Sequence, residues 1–172
     1  MKQTALLILL TLSCQPIPDE KPGLPGLAQL KGVTFERLQG AHRMVHLEAP
    51  RAELALDGTQ VTMHDAHGTA QEKPGSARVH LQATELEAQL VTGRFELLQV
   101  RGSDDEGRVL ESPRVTGGMD GGMARAEAPV RMHGRNFWVT AQDGAVVDMQ
   151  HGTVDLLGPV EARAWPGDGG AH

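Results

Sequence analysis

The sequence predicts an all-β protein built as a stack of strand pairs, and three observations lead to this fold class. Between Asn136 and Ala164, short runs have an apolar residue at every second position, which is typical of strands with one buried face. Glycine-containing breaks separate these runs, as they do in hairpins and corners. Similar runs recur upstream at a fixed spacing, which is the signature of a repeat architecture.

The alternation between Asn136 and Ala164 changes phase once, at Gln142 to Gly144. A slip of one residue would turn every following side chain to the opposite face of the sheet. The step therefore predicts a bulge or a corner, where the chain leaves one rung and starts the next. Gly158-Pro159 closes the last run. The apolar positions are Phe137, Val139, Ala141, Ala145, Val147, Met149, Val154 and Leu156.

Two longer segments, His46 to Met63 and His80 to Leu97, repeat the pattern at a constant offset of 34 residues. Each unit reads as a pair of strands, so the repeat predicts stacked β-structure rather than helical repeats. Leu110 to Val115 opens a weaker copy. The matched pairs are Leu47 with Leu81, Ala49 with Ala83, Ala52 with Leu86, Leu56 with Leu90, Val61 with Phe95, and Met63 with Leu97.

The segment from Val139-Thr-Ala141 to Gly158-Pro159-Val160 resembles the OstA-like β-jellyroll of the lipopolysaccharide-transport proteins, the LptC/LptA family. Its Gly-Pro-Val end is similar to the Gly-x-Val that closes a repeat in those domains. The resemblance covers residues 32–164, and the length and layout are closest to the LptC branch. It implies a jellyroll of antiparallel strands in two facing sheets, which we place at residues 31–165.

The N-terminal segment 1–13 is predicted to be a secretory signal, because its apolar run is far shorter than the ~20 residues of a membrane-spanning helix. Residues 10–14, Leu-Thr-Leu-Ser-Cys, resemble a bacterial lipobox that would be cleaved before Cys14 and lipidated there. The alternative is an ordinary signal followed by a stray thiol. Cys14 is the only cysteine, so no intramolecular disulfide can form.

Residues 14–30 are predicted to be a tether, because four prolines lie between Gln15 and Gly26 and proline disfavours both helices and central strands. Lipidation would hold the protein in the periplasm on a membrane, and we favour the inner membrane over the outer. This anchor differs from the transmembrane helix that is usual in the resembled branch. Residues 166–172 are predicted to be a frayed tail.

The composition favours a single soluble domain with an aliphatic interior. The 172 residues are 40% hydrophobic but only 3% aromatic, without tyrosine. Valine, leucine, alanine and methionine must therefore line the interior, and such a wall adapts well to alkyl chains. The alternative is that these residues simply fill a closed core. The formal net charge of −6 disfavours binding to nucleic acid.

Residue patterns typical of catalysis are scarce. His64 and His67 lack further ligands at zinc-site spacing. The acidic residues Asp104 to Glu106 could bind calcium weakly, although a solvated turn is the simpler explanation. No nucleophile elbow or phosphate-binding loop occurs. We therefore expect a protein that is not an enzyme and has no cofactor or metal, with polar loops such as Asp65 to Ala77 between its repeats.

The resemblance implies a lipopolysaccharide carrier that takes the lipid from an inner-membrane ABC transporter complex and passes it to another, LptA-like periplasmic β-jellyroll. A closed structural or adaptor lipoprotein without a lipid ligand is the second hypothesis. For the carrier we expect a partner edge at Val154, Leu156 and Val160. The groove candidates are Leu47, Leu56, Val61, Leu81, Leu90, Phe95, Val139, Val147 and Val154.

Overall fold

The computed structural model describes residues 27–71, 78–118, 122–148 and 153–166, and this part of the chain is all-β with antiparallel pairing throughout. The predicted fold class is therefore confirmed. Within these residues, no helix is long and apolar enough to cross a membrane. The strands are β1 (Leu27–Gln39), β2 (His42–Ala55), β3 (Gln60–Gln71), β4 (Arg78–Gln89), β5 (Arg94–Asp104), β6 (Val109–Gly118), β7 (Met123–Ala126), β8 (Val130–Gly134), β9 (Phe137–Ala141), β10 (Ala145–Asp148), β11 (Thr153–Leu156) and β12 (Val160–Ala164).

The first six strands are long and form a meander in which each pairs with the next. Strand β1 begins at Leu27, opposite Ala55 of β2, so ordered β-structure starts inside the segment expected to be tether. The expected boundary at residue 31 was too late because Leu27 to Leu30 continue the ladder. The apolar alternation in Leu27 to Leu30 is out of phase by one residue with the alternation that begins at Val33.

A line of corner residues crosses all six long strands. At each of these residues the ladder misses one or two pairs and then resumes in the same register, as between Lys31–Arg51 and Val33–Ala49. Three of the residues have left-handed backbone angles, with φ of 49° to 62°, and two are prolines, which cannot donate to a ladder. The corner residues are Gly32, Pro50, Asp65, Thr84, Gln99 and Pro113.

The corners shift the phase of burial by one residue. In β2, both Ala49 and Ala52 are buried, although they lie on either side of the corner at Pro50. Each long strand thus contributes its two halves to two facing walls of one core. The first wall contains the halves 27–31, 51–55, 60–64, 85–89, 94–98 and 114–118, and the second contains 33–39, 42–49, 66–71, 78–83, 100–104 and 109–112.

The loop expected from Asp65 to Ala77 is not present in the described residues, because β3 continues through Asp65 to Gln71. Asp65 adopts φ 55°, which aspartate tolerates better than most residues. The strand therefore bends at this position without ending. Residues 72–77 lie outside the described part of the chain.

Beyond β6, each wall is extended by a different set of strands. The N-terminal half of β6 pairs with β8, and its C-terminal half pairs with β7. Strands β9 and β12 then extend the second wall, while β10 and β11 extend the first. The step at Gln142 to Gly144 is a corner between β9 and β10, as the phase change predicted, and both flanking alanines, Ala141 and Ala145, are fully buried.

The 34-residue repeat corresponds to two consecutive hairpins, β2–β3 and β4–β5. The corners repeat with the same offset, because Thr84 follows Pro50 and Gln99 follows Asp65 by 34 residues. Two apolar clusters fill the space between the walls. The larger lies within β1–β5, and the smaller lies around Ala126, Val130, Ala141 and Ala145.

Candidate apolar groove and sheet edges

An apolar cleft lies between β1–β3 and the turn that joins β4 to β5. Its volume is about 10 Å³, which is room for about one water molecule. In this conformation the walls therefore meet closely, and an acyl chain could enter only if they moved apart. Aliphatic, aromatic and thioether side chains line the whole cleft: Leu30, Val33, Phe35, Leu54, Val61, Met63 and Leu90.

Most of the predicted groove residues face the interior. Leu47 and Val61 are buried in the larger cluster, and Leu81, Leu90 and Phe95 pack against it. Val154 packs against the smaller cluster. The two remaining strand positions, Val139 and Val147, are half-buried and belong to neither cluster. The structure thus brings two of the candidates, Val61 and Leu90, together in the cleft.

The prediction for Leu56 is wrong. Its side chain is 73% exposed, because β2 ends at Ala55 and Leu56 lies in the turn before β3. The repeat matches Leu56 with Leu90, but the two turns differ. Leu90 donates its backbone N–H to the Thr59 carbonyl and packs against the core, whereas Leu56 does not.

Five of the seven cleft residues were not among the predicted groove residues: Leu30, Val33, Phe35, Leu54 and Met63. Leu54 follows the buried Ala52 by two positions, so the alternation used for the repeat could have identified it. Leu30 lies in the proline-rich segment assigned to the tether, and only its pairing with Ala52 shows that it belongs to a strand. Met63 was matched in the repeat but not named as a groove residue, although it is fully buried.

Phe95 covers a gap in the neighbouring strand. It lies opposite Gly117, where a Cβ atom would come within 2.7 Å of the Phe95 ring. Phe137 has the same relation to Gly134. A ring over a glycine fills the missing side-chain volume in a sheet. Phe95 is therefore half-buried as part of the wall.

The predicted partner edge consists of two strands rather than one. The run from Thr153 to Arg163 divides at Gly158 and Pro159 into β11, which pairs with β10, and β12, which pairs with β9. Val154 and Leu156 thus lie at the edge of the first wall, while Val160 lies at the edge of the second. Gly158 has φ 74°, which explains why the chain can cross between the walls here. Strand β1 forms the opposite edge.

Three histidines of β2 and β3 lie beside carboxylates. His46 Nδ1 and Nε2 are 3.0 Å from Glu36 Oε1 and 3.1 Å from Glu48 Oε1. His64 Nδ1 is 3.6 Å from Glu85 Oε2, and His67 Nε2 is 3.9 Å from Glu48. Among the described residues, no three such groups converge in a way that could hold a metal ion.

The acidic turn after β5 is stabilised by its own hydrogen bonds. Asp104 Oδ1 accepts from the backbone N–H groups of Glu106 and Arg108, and Oδ2 accepts from the Arg108 guanidinium. Partial burial raises the pKa of Asp104, but the hydrogen bonds and charge of Arg108 outweigh it and hold the pKa below its usual range. The carboxylate thus acts as the cap of a solvated turn.

Comparison with known proteins finds a likeness among solved structures. No family profile and no curated protein matches the chain. Among solved structures it is similar to LptH, described as the LptA-homologous periplasmic component of the lipopolysaccharide transport device of Pseudomonas aeruginosa. The identity is 14%, the match covers 93% of this chain and 96% of that one, and the TM-score is 0.47.

Proposed function

We propose that this protein is a non-enzymatic periplasmic lipoprotein that binds the acyl chains of lipopolysaccharide between its two walls and passes the lipid on. The observation that supports the proposal most directly is the wholly apolar cleft, whose lining continues into the larger core cluster. An acyl chain between the walls would leave the sugars and phosphates of the lipid outside the walls, in water.

Binding would be driven by the burial of alkyl surface, about 0.8 kcal/mol for each methylene group. Ten buried methylenes would contribute about 8 kcal/mol, from which the cost of separating the walls must be subtracted. The interior suits acyl-chain binding because alanine and methionine give it a shallow, adaptable lining, as at Ala66, Ala83 and Met63. Transfer requires no bond cleavage in this protein.

Passing the lipid on requires a continuous groove, and the open edges offer a way to extend it. Strand β1 lies at one end of the sheet, and β11 and β12 lie at the other. An edge strand can pair with a strand of another protein. We assign the C-terminal edge to an LptA-like jellyroll, and the inner-membrane ABC transporter complex supplies both lipid and energy. Cys14 would anchor the protein, preferably to the inner membrane.

The second candidate function is a structural or adaptor lipoprotein with a closed core. The small volume of the cleft favours it, because a space of about 10 Å³ holds no acyl chain without rearrangement. The two functions differ in one observable property, which is whether lipid reaches the inward-facing side of the strands.

Photo-crosslinking from neighbouring residues of β1 tests this difference. Phe35 is buried and lines the cleft, whereas Thr34 is the adjacent residue, whose side chain points to the opposite face of the strand. Benzoylphenylalanine at each position is irradiated with lipopolysaccharide, and the adduct is detected by its mobility. The proposal requires adducts at position 35 with few at position 34. Equal or absent adducts in a protein with normal circular dichroism favour the adaptor.

A further inference from the structure

One charged side chain of β1 lies on the face of the strand that borders the space between the walls. Val33, Phe35 and Arg37 are alternate residues of β1 and therefore face the same side of the strand. Val33 and Phe35 are buried and line the cleft. Arg37 lies opposite Val45, which packs against the larger core cluster. Arg37 is thus the next inward residue after Phe35, about 7 Å further along the strand.

A bulge in β2 lies directly opposite Arg37. The register of β1 and β2 shifts after Arg37, so that Met44 and Val45 together face this one residue of β1. Met44 is buried and Val45 is half-buried. Bulges redirect side chains and are frequent beside functional sites. Both neighbours of Arg37 across the ladder are apolar, so neither can compensate its charge.

Arg37 has no ion-pair partner among the described residues. Glu36 lies on the opposite face of β1, where its carboxylate pairs with Arg43 Nε at 3.0 Å. On the rung of Arg37 the next charged residue is Asp104, four ladder steps or roughly 19 Å away. Asp104 already pairs with the Arg108 guanidinium. An anion that neutralises Arg37 must therefore come from outside this part of the chain.

The position of Arg37 beside the cleft distinguishes it from an ordinary surface arginine, whose stem packs on apolar residues while its guanidinium reaches water. The cleft lining is wholly apolar. A lipid with an acyl chain along Val33 and Phe35 would therefore meet one cation where the chain leaves the walls. Arginine keeps its charge at neutral pH, and its planar guanidinium can donate two parallel hydrogen bonds to a phosphate.

We propose that Arg37 binds the phosphate group of the lipid whose acyl chain enters the cleft. The ligand is then an anionic amphiphile with a phosphate close to its acyl chains, rather than a neutral lipid. Both the phosphorylated lipid A of lipopolysaccharide and a phospholipid such as phosphatidylglycerol have this chemistry. The inference rests on the acyl-chain binding of the proposed function, but it does not depend on which of these two lipids is bound.

The test compares the wild type with Arg37→Gln, Arg37→Lys and Arg51→Gln. Arg51 is the matched control, because it is exposed and lies on the outer face of β2, next to the buried, inward-facing Ala52. The full-length proteins in detergent are titrated with lipid A, lipid A without its phosphates, phosphatidylglycerol or diacylglycerol. Native mass spectrometry measures the bound fraction, and circular dichroism checks the fold of each variant.

We expect the wild type to bind a phosphate-bearing lipid roughly tenfold more tightly than its phosphate-free counterpart. Arg37→Gln should remove this difference, Arg37→Lys should keep part of it, and Arg51→Gln should keep all of it. Equal wild-type binding of lipids with and without phosphate, or a folded Arg37→Gln variant that keeps the difference, overturns the phosphate contact.

Two further outcomes separate this inference from the proposed function. Binding of phosphatidylglycerol but not of lipid A, with the same dependence on Arg37, supports the phosphate contact and refutes lipopolysaccharide as the ligand. A wild type that binds none of the four lipids overturns both the inference and the proposed lipid-binding function.

Discussion

Replacing Gly68 by alanine tests whether β2 and β3 pack as closely in the second wall as the structure indicates. A Cβ atom at Gly68 would lie 2.8 Å from the Leu47 Cα and 2.9 Å from the His46 carbonyl carbon. Both are backbone atoms, so no side-chain rotation can relieve the overlap. Overpacking of this kind costs about 3 kcal/mol, the upper part of its usual range. The melting temperature should therefore fall by roughly 10 °C.

Gly102→Ala is the matched control. Gly102 follows Gly68 by 34 residues and occupies the equivalent position in β5, but its nearest neighbour to a new Cβ would be Val79 Cγ1 at 3.7 Å. That is an ordinary contact, so the change should stay within about 0.5 kcal/mol. Urea unfolding followed by circular dichroism measures both. Equal stability of the two variants would refute the close approach of β2 and β3.

Four further predictions follow from the structure. Thr140→Val should keep or raise the free energy of unfolding, because Thr140 Oγ1 is buried without a hydrogen-bond partner in the described residues; a loss above about 1 kcal/mol in urea unfolding would show that the hydroxyl is satisfied. Asp104→Asn should destabilise the protein most above about pH 5, because the lowered pKa of Asp104 contributes stability that is lost as the pH falls through that pKa. The prediction would be contradicted if the difference in the free energy of unfolding between wild type and variant did not decrease as the pH falls. Ending the chain at Pro159 removes β12 and should abolish co-purification of a soluble periplasmic jellyroll while membrane attachment persists; undiminished recovery by a folded truncation would assign the contact to another edge. Cys14→Ala should eliminate palmitate labelling, and a wild type without a Cys14-dependent labelled band would exclude the lipid anchor.

The strands and their inward faces could be predicted because the apolar alternation is a local property of the sequence. The 34-residue offset also gave correct equivalences, such as Leu47 with Leu81, because both hairpins have the same length on each side of the corner. The alternation did not predict the burial of Leu56 correctly, because this residue lies beyond the end of β2. Burial there depends on how the turn folds back, and a matching residue at the same offset does not determine that.

The edges of the fold were harder to predict from the sequence. The run from Thr153 to Arg163 alternates well enough to suggest one strand, but its two halves pair with different neighbours. The neighbour with which each half pairs depends on the division of the sheet at β6, about 40 residues earlier in the chain. Similarly, the end of the tether could not be located, because only pairing with Ala55 makes Leu27 part of β1.

The corner line has the least obvious sequence signal and bears most directly on the proposed function. The corner residues include glycine, proline, aspartate and glutamine, which have no side-chain chemistry in common. Gly32, Pro50, Asp65 and Gln99 nevertheless occupy the same position across the sheet. Separation of the walls to admit an acyl chain would concentrate backbone rotation there, because these positions already lack a ladder pair. Each wall could then tilt as a unit with its own hydrogen bonds intact. A closed cleft of about 10 Å³ is therefore compatible with a lipid-binding interior, provided that the backbone rotates at the corners while the ladder hydrogen bonds stay intact.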